Sequence, residues 1–240
     1  IINKVEEGLG DLESSAKDMS VDDYIDQRNT LEAMRIASKA VARYIQRFSE
    51  LAQKMADEEV DPGRKRELRK IAEDCSWVSG NPPRTLYEAL QLYYFSHCVT
   101  NLLEHREQGL GHRWDVMFYP FYKKDLEEGR STREEAQELI ECLILKLAEI
   151  GMLLPYHVAG MWAGGTTHAE LTLGGVTPEG DDASNEFTLV ILDATMEIKN
   201  PHVSSALRYH LKINPEVVSK TIDCLRARID YPSIHNDPVV

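Results

Sequence analysis

Two side chains that could do chemistry, Trp162 and His168, stand on one glycine-rich stretch, residues 161–180, M-W-A-G-G-T-T-H-A-E-L-T-L-G-G-V-T-P-E-G. Glycine lets backbone approach a ligand closely and adopt left-handed angles at little steric cost. An indole offers a broad apolar wall with one N–H donor, and an imidazole titrates near neutrality, so it can hydrogen-bond or relay a proton. Presented beside Gly164 and Gly165, the two read as groups lining a pocket. The same residues also read as a tight turn before a strand, with Trp162 in the core and His168 on the surface.

Other chemistries find less support. Glu104, His105, Glu107 and His112 crowd together, but they form neither the Glu-x-x-His pair of di-iron bundles nor the H-E-x-x-H of zincins. They read as a solvated or salt-bridged helix end, and no metal is assigned. There is no G-x-x-x-x-G-K-[ST] loop, and Gly160, Gly164 and Gly165 do not make a G-x-G-x-x-G after a strand, so nucleotide binding is not expected. No G-x-S-x-G elbow is present, and no cysteine has a neighbouring loop histidine. Cys75, Cys98, Cys142 and Cys224 are far apart, without a C-x-x-C pair, and each falls in a helical pattern. That usage suits reduced thiols in a cytoplasmic protein. A net charge of −13 argues against a nucleic-acid partner. The best apolar run, residues 139–154, is broken by Glu141, Lys146 and Glu149, short of the roughly 18 residues that a membrane span needs.

The elements that must position these groups follow from periodicity. Met34, Ala37, Val41, Tyr44, Phe48, Leu51 and Met55 recur at three- and four-residue steps within a long amphipathic helix over residues 22–59. Asp61-Pro62 caps and opens a second helix that ends near Gly80. Thr85/Glu88 and Thr132/Glu135 are capping-box pairs. The first opens a helix to about Arg106, apolar nearly all round and therefore buried, and the second opens one to about Leu153. A helix over residues 115–128 lies between them and ends at Gly129. From Leu171 onward the order is strand (171–176), helix (184–199), strand (203–210), helix capped by Asn214, strand (from Ser233). Connections of that length imply parallel pairing in a βαβ layout. Such sheets commonly carry functional groups at the carboxyl ends of strands, where His210 and His235-Asn236-Asp237 fall.

Four blocks then resemble a known family. They are P-R-T-L-Y-E-A-L-Q-L-Y-Y-F at residues 83–95, G-H-R-W-D…Y-P-F-Y-K-K-D-L-E-E-G at 111–129, L-T-L-G-G-V-T-P-E-G-D-D-A-S-N-E at 171–186 and P-S-I-H-N-D at 232–237. Their order and approximate spacing are similar to those of glycyl radical enzymes, the pyruvate formate-lyase-like proteins, over nearly the whole chain. The resemblance implies an α/β fold: a mainly helical outer layer (1–155) plus the first parallel strands (156–240) of a ten-stranded barrel, all within a single domain. It also implies a radical stored on a glycine and passed to a cysteine, both outside this chain, since none of its cysteines lies in a family-like G-C-V-E loop. The sequence starts with Ile1 and stops in a strand-like run, which reads as a piece of a longer polypeptide, inactive alone.

By the same resemblance Trp162 falls where relatives place a pocket Phe or Tyr, and His168 where pyruvate formate-lyase has a pocket tryptophan. Glu107 and Gln108 fall near a His-Ser pair that binds substrate in the dehydratases, and this departure counts against a small polyol. Residues 111–115 resemble the G-R-[FLM]-D-Q block of the dehydratase and decarboxylase branch. The expected activity is a lyase or synthase performing decarboxylation, dehydration or addition on a small organic substrate, with Trp162 favouring an aromatic one. Substrate contacts are assigned to Trp162, His168, Glu107, Gln108, Gly164 and Gly165. Implied partners are a radical S-adenosylmethionine activating enzyme and further copies of the full-length protein. The competing expectation is a split or degenerate helical module that binds a partner chain without catalysis.

Overall fold

The computed structural model describes residues 1–100, 112–150, 169–200, 203–227 and 231–237. They fall into two compact units, Ile1–Pro82 and Pro83–Val240. The first is helical: α1 (Ile2–Ser15), a short 3₁₀ turn (Ala16–Asp18), α2 (Val21–Glu58) and α3 (Pro62–Gly80). Ser20 and Asp61 accept the N–H groups of Asp23 and Arg64 and so cap α2 and α3. Ile45, Ala52 and Ala56 of α2 are buried together with Leu68, Ala72, Cys75 and Val78 of α3. The buried Ser49 hydroxyl donates to the Ala72 carbonyl.

The second unit holds the sheet. Its helices are α4 (Leu86–Cys98), α5 (Trp114–Met117), α6 (Tyr119–Glu127), α7 (Arg133–Ala148), α8 (Glu186–Ile198) and α9 (Pro215–Arg226). Its strands are β1 (Ala169–Gly174), β2 (Val203–Tyr209) and β3 (Ser233–Asn236), in the order β1-β2-β3 with both pairings parallel. The βαβ layout expected from spacing is therefore present.

Local chemistry explains most boundaries. The Thr132/Glu135 capping box forms in both directions. The Thr85/Glu88 pair forms in one: Thr85 accepts from the Glu88 N–H, but the Glu88 carboxylate is drawn to the backbone and guanidinium of Arg84. The single helix expected over 115–128 is two, because Pro120 has no N–H to continue the ladder. The helix read from Ser184 begins at Glu186, since Asn185 supplies the cap to Phe187 and Thr188. β1 ends at Gly174 rather than at Val176 because Gly174 and Gly175 turn the chain with φ of 67° and 78°.

Strand alternation divides the sheet into two unlike faces. Leu171, Leu173, Val203 and Leu207 join a buried cluster with Ile140, Ile144 and Leu147 of α7 and Phe187, Val190 and Ile191 of α8. On the other face the register sets Thr172 beside Ala206, Gly174 beside Arg208, and Ser233 and His235 beside Ala206 and Arg208. Of these, Thr172, Ala206 and Arg208 are half-buried, as is Ser204, while Ser233 and His235 are exposed.

The double glycine gives a paired test. A Cβ at Gly174 would lie 3.1 Å from the Arg208 carbonyl and 3.1 Å from a Leu207 methyl, whereas at Gly129, with φ of 66°, it would meet open space among the described residues. Left-handed backbone alone costs an alanine about 1–2 kcal/mol, and crowding adds about 1–3 kcal/mol. Gly129→Ala should therefore lower unfolding free energy by about 1 kcal/mol and Gly174→Ala by about 3 kcal/mol, read as urea midpoints at unchanged slope.

Candidate functional site

The carboxyl end of the sheet is where polar side chains converge. Arg113, just before α5, donates to the carbonyls of Gly174 (2.5 Å) and Val176 (3.3 Å). Asp115, fully buried in α5, accepts from the Gly174 N–H (2.7 Å) and the Thr188 hydroxyl (2.9 Å) through the same oxygen. The Asn185 amide donates to the Asp115 carbonyl. Gly175 donates to the Arg208 carbonyl, and Arg208 forks onto Asp237 at 3.1 and 2.8 Å, joining β1, β2 and the end of β3. Beyond this, Asp182 accepts from the Ser184 N–H and hydroxyl, the Asn214 N–H and the His210 ring. His210 accepts the Lys212 N–H at Nδ1, which leaves Nε2–H to donate to Asp182.

Charge states follow from these surroundings. Burial pushes the Asp115 carboxyl up to about 6, against the opposing pull of Gly174, Thr188 and Arg113. Burial also raises Asp182, but its bonds from Ser184, Asn214 and His210 outweigh that and hold it below the usual carboxylate range. Burial drives His97 down to about 4 and Tyr93 up to about 12, so at neutral pH this aromatic pair is uncharged. Tyr93 centres a packed group, with Trp114 and Phe118 rings edge-on at 5.4 and 5.7 Å.

Among the described residues no group of three His, Cys, Asp or Glu side chains is placed to hold a metal. No described helix is long and apolar enough to cross a membrane. All four cysteines lie in helices, Cys75 in α3, Cys98 in α4, Cys142 in α7 and Cys224 in α9. Burial raises each thiol, Cys75 and Cys224 to about 11. None has the character of an activated nucleophile.

The six residues assigned from sequence, Glu107, Gln108, Trp162, Gly164, Gly165 and His168, lie outside the described residues. What is described is where their flanks meet. Thr172 of β1 donates its N–H to the His112 carbonyl, and Arg113 bridges Thr172 in parallel. The chain that follows Glu107 and Gln108 and the chain that follows His168 thus run side by side in one direction. By contrast His210 and Asp237, placed at the carboxyl ends of strands as expected, are committed to internal partners.

Residues 1–240 match the family model described as pyruvate formate lyase-like. The chain belongs to this family. It is 36% identical over 228 residues to the isethionate sulfite-lyase of Nitratidesulfovibrio vulgaris, covering 92% of this chain and 27% of that protein. It is 32% identical over 240 residues to the trans-4-hydroxy-L-proline dehydratase of Clostridioides difficile, covering 96% and 30%. Among solved structures, the B12-independent glycerol dehydratase of Clostridium butyricum superposes with a TM-score of 0.88 at 31% identity, over 99% of this chain and 29% of that one. These relatives place this pyruvate formate lyase-like chain in the dehydratase and decarboxylase branch of the glycyl radical enzymes. The chain spans about 27–30% of the length of the relatives just named.

Sequence reasoning used residues 111–115 only as a family signature and missed that Arg113 and Asp115 clasp Gly174. The available signal was an Arg-x-Asp between two helices, opposite a double glycine. Asp182 was missed as well, being one of several acids in an ordinary turn. Removing it should show its role: Asp182→Ala deprives Ser184, Asn214 and His210 of their acceptor and should cost about 2 kcal/mol at pH 7. Because the folded carboxyl titrates below the unfolded reference of 3.8, its stabilisation is full above that value and lost as pH falls through the depressed one. The wild-type advantage in urea unfolding should hold from pH 6 to 8 and shrink below about pH 4.

Proposed function

We propose that this chain supplies the helical envelope and the first wall of a ten-stranded barrel in a glycyl radical enzyme. Its reaction is the radical elimination of a leaving group from a small, hydroxyl-bearing organic substrate. The observation that carries the reading is the identity, above 30% over nearly the whole chain, to a sulfite-lyase and a dehydratase. Both names denote loss of a group from a small molecule. Decarboxylation and addition are the other chemistries of the branch, and they receive less weight because those two relatives are eliminating enzymes.

In the family, a cysteine thiyl radical generated from the glycyl radical abstracts hydrogen from the substrate. The cysteine that bears it is none of the four in this chain, all of which sit in helices. Trp162 forms an apolar wall, His168 bonds the substrate hydroxyl or relays its proton, and Glu107 and Gln108 add polar contacts. Gly164 and Gly165 let the backbone pass close to the substrate. The parallel approach at Thr172 supports one shared pocket. His168 directly precedes β1, and the four residues from Gln108 to His112 can span at most about 14 Å.

The test uses the full-length gene product, handled anaerobically with its activating enzyme and S-adenosylmethionine. A glycyl radical doublet by electron paramagnetic resonance is expected, followed by turnover of at least one of isethionate, trans-4-hydroxy-L-proline or glycerol. Trp162→Ala and His168→Ala should keep the radical signal but reduce kcat/KM about 100-fold or more. A protein that forms no radical would overturn the reading in favour of the partner-binding module, and one that forms it but turns over no hydroxylated substrate would overturn the elimination in favour of decarboxylation or addition.

A further inference from the structure

Asp115 holds an unusual position for a carboxyl group. It is wholly buried, one oxygen serves both the Gly174 N–H and the Thr188 hydroxyl, and the other oxygen has no hydrogen-bond partner among the described residues. Those two donors belong to β1 and α8, so a single oxygen fastens the end of the first strand to the first turn of the helix behind it. The charged group facing it is Arg113, whose guanidinium is engaged with the Gly174 and Val176 carbonyls rather than with the carboxylate. Among the described residues, three other charged groups on neighbouring elements are directed elsewhere. Glu186 of α8 meets the Tyr119 hydroxyl, Asp125 of α6 holds the Leu86 N–H and Arg130, and Arg208 of β2 is paired with Asp237.

We infer that Asp115 is a proton-operated latch: taking up a proton tightens the fastening of the Gly174–Gly175 turn to α8, and losing it loosens the turn. The unpartnered oxygen can take the proton while the other goes on accepting both existing bonds, so the neutral form fits the closed arrangement without rearrangement. The ionised form leaves a buried negative charge that the Gly174 N–H, the Thr188 hydroxyl, Arg113 and the Val116 N–H favour but do not offset against burial in low dielectric. Opening the turn to water relieves that charge. The carboxyl titrates near 6 when closed and near 3.8 when exposed. The latch is therefore tightest below about pH 4, weakens roughly tenfold per unit between about pH 4 and 6, and is constant above. This rests on the geometry at Gly174 and does not depend on the proposed activity.

The experiment is amide hydrogen exchange on the full-length protein, resolved at Gly174 and Gly175 and corrected for intrinsic rates. The opening constants of Gly174 and Gly175 should rise about 30-fold between pH 4 and pH 6, about twofold more by pH 7, and stay flat to pH 8. In Asp115→Asn, which cannot ionise, the same amides should show no such rise. As a check that needs no variant, the Asp115 carboxyl carbon should titrate by NMR with a midpoint near 6. A wild-type profile flat from pH 4 to 6, the same rise in Asp115→Asn, or a carboxyl midpoint near 4 would each overturn the latch.

Discussion

The backbone of Gly174 is the point on which the sheet end depends. Its N–H is taken by Asp115 and its carbonyl by Arg113, two residues apart in sequence, while the next N–H is taken by the β2 backbone at Arg208. A turn with φ of 67° and 78° at consecutive positions cannot run on as strand. It is kept in register because the peptide groups on both sides of the Gly174 Cα are bonded. From that clasp the rest follows: Arg208 lies over Gly175, Asp237 holds Arg208, and the three strand ends are fixed together.

That commitment has a consequence for function. The groups an open α/β sheet would ordinarily offer to a ligand at its carboxyl ends are here spent on one another. His210 has both ring nitrogens bonded, and Asp182 accepts from four donors. The other sheet face, in contrast, carries the small side chains of Thr172, Ser204, Ala206 and Ser233 beside Arg208 and His235. The covered face is filled by leucine and valine. In the barrel proposed above, a solid interior would call for branched apolar side chains on this face, which these residues do not supply.

How much of this the sequence disclosed depends on the range of the interaction. Helices and caps were legible because they are local: Asp61-Pro62, Thr132/Glu135, Gly129 and Asn214 each act within a turn or two. The parallel order of strands was legible from connection length alone. What local pattern could not give was competition between neighbours. Arg84 takes the Glu88 carboxylate that would have completed a capping box, and Pro120 splits a helix whose apolar period runs straight through it. The clasp on Gly174 was hidden for a different reason: its bonds span 59 and 61 residues, and nothing in a local window marks Arg113 and Asp115 as its partners. Trp162, His168, Glu107 and Gln108 remain carried by resemblance and by the meeting of their flanks at Thr172.

Three carboxyl groups, Asp193, Asp182 and Asp115, show why position, not residue type, decides their chemistry. Asp193 bridges Arg133 of α7 and Lys220 of α9, and Asp182 gathers four donors near a turn. Both are held below the ordinary range because ionisation is rewarded by partners. Asp115 has two donors and complete burial, and for it desolvation wins. The first two therefore stabilise the unit when charged and the third when neutral, so acidification acts on them with opposite sign. Below about pH 4 the Asp182 and Asp193 carboxylates lose their hold, whereas the Asp115 clasp has by then reached its tightest. The part of the fold expected to fray first in acid is thus the α7–α8–α9 layer and the turn at Asp182, with the β1 end the last to open.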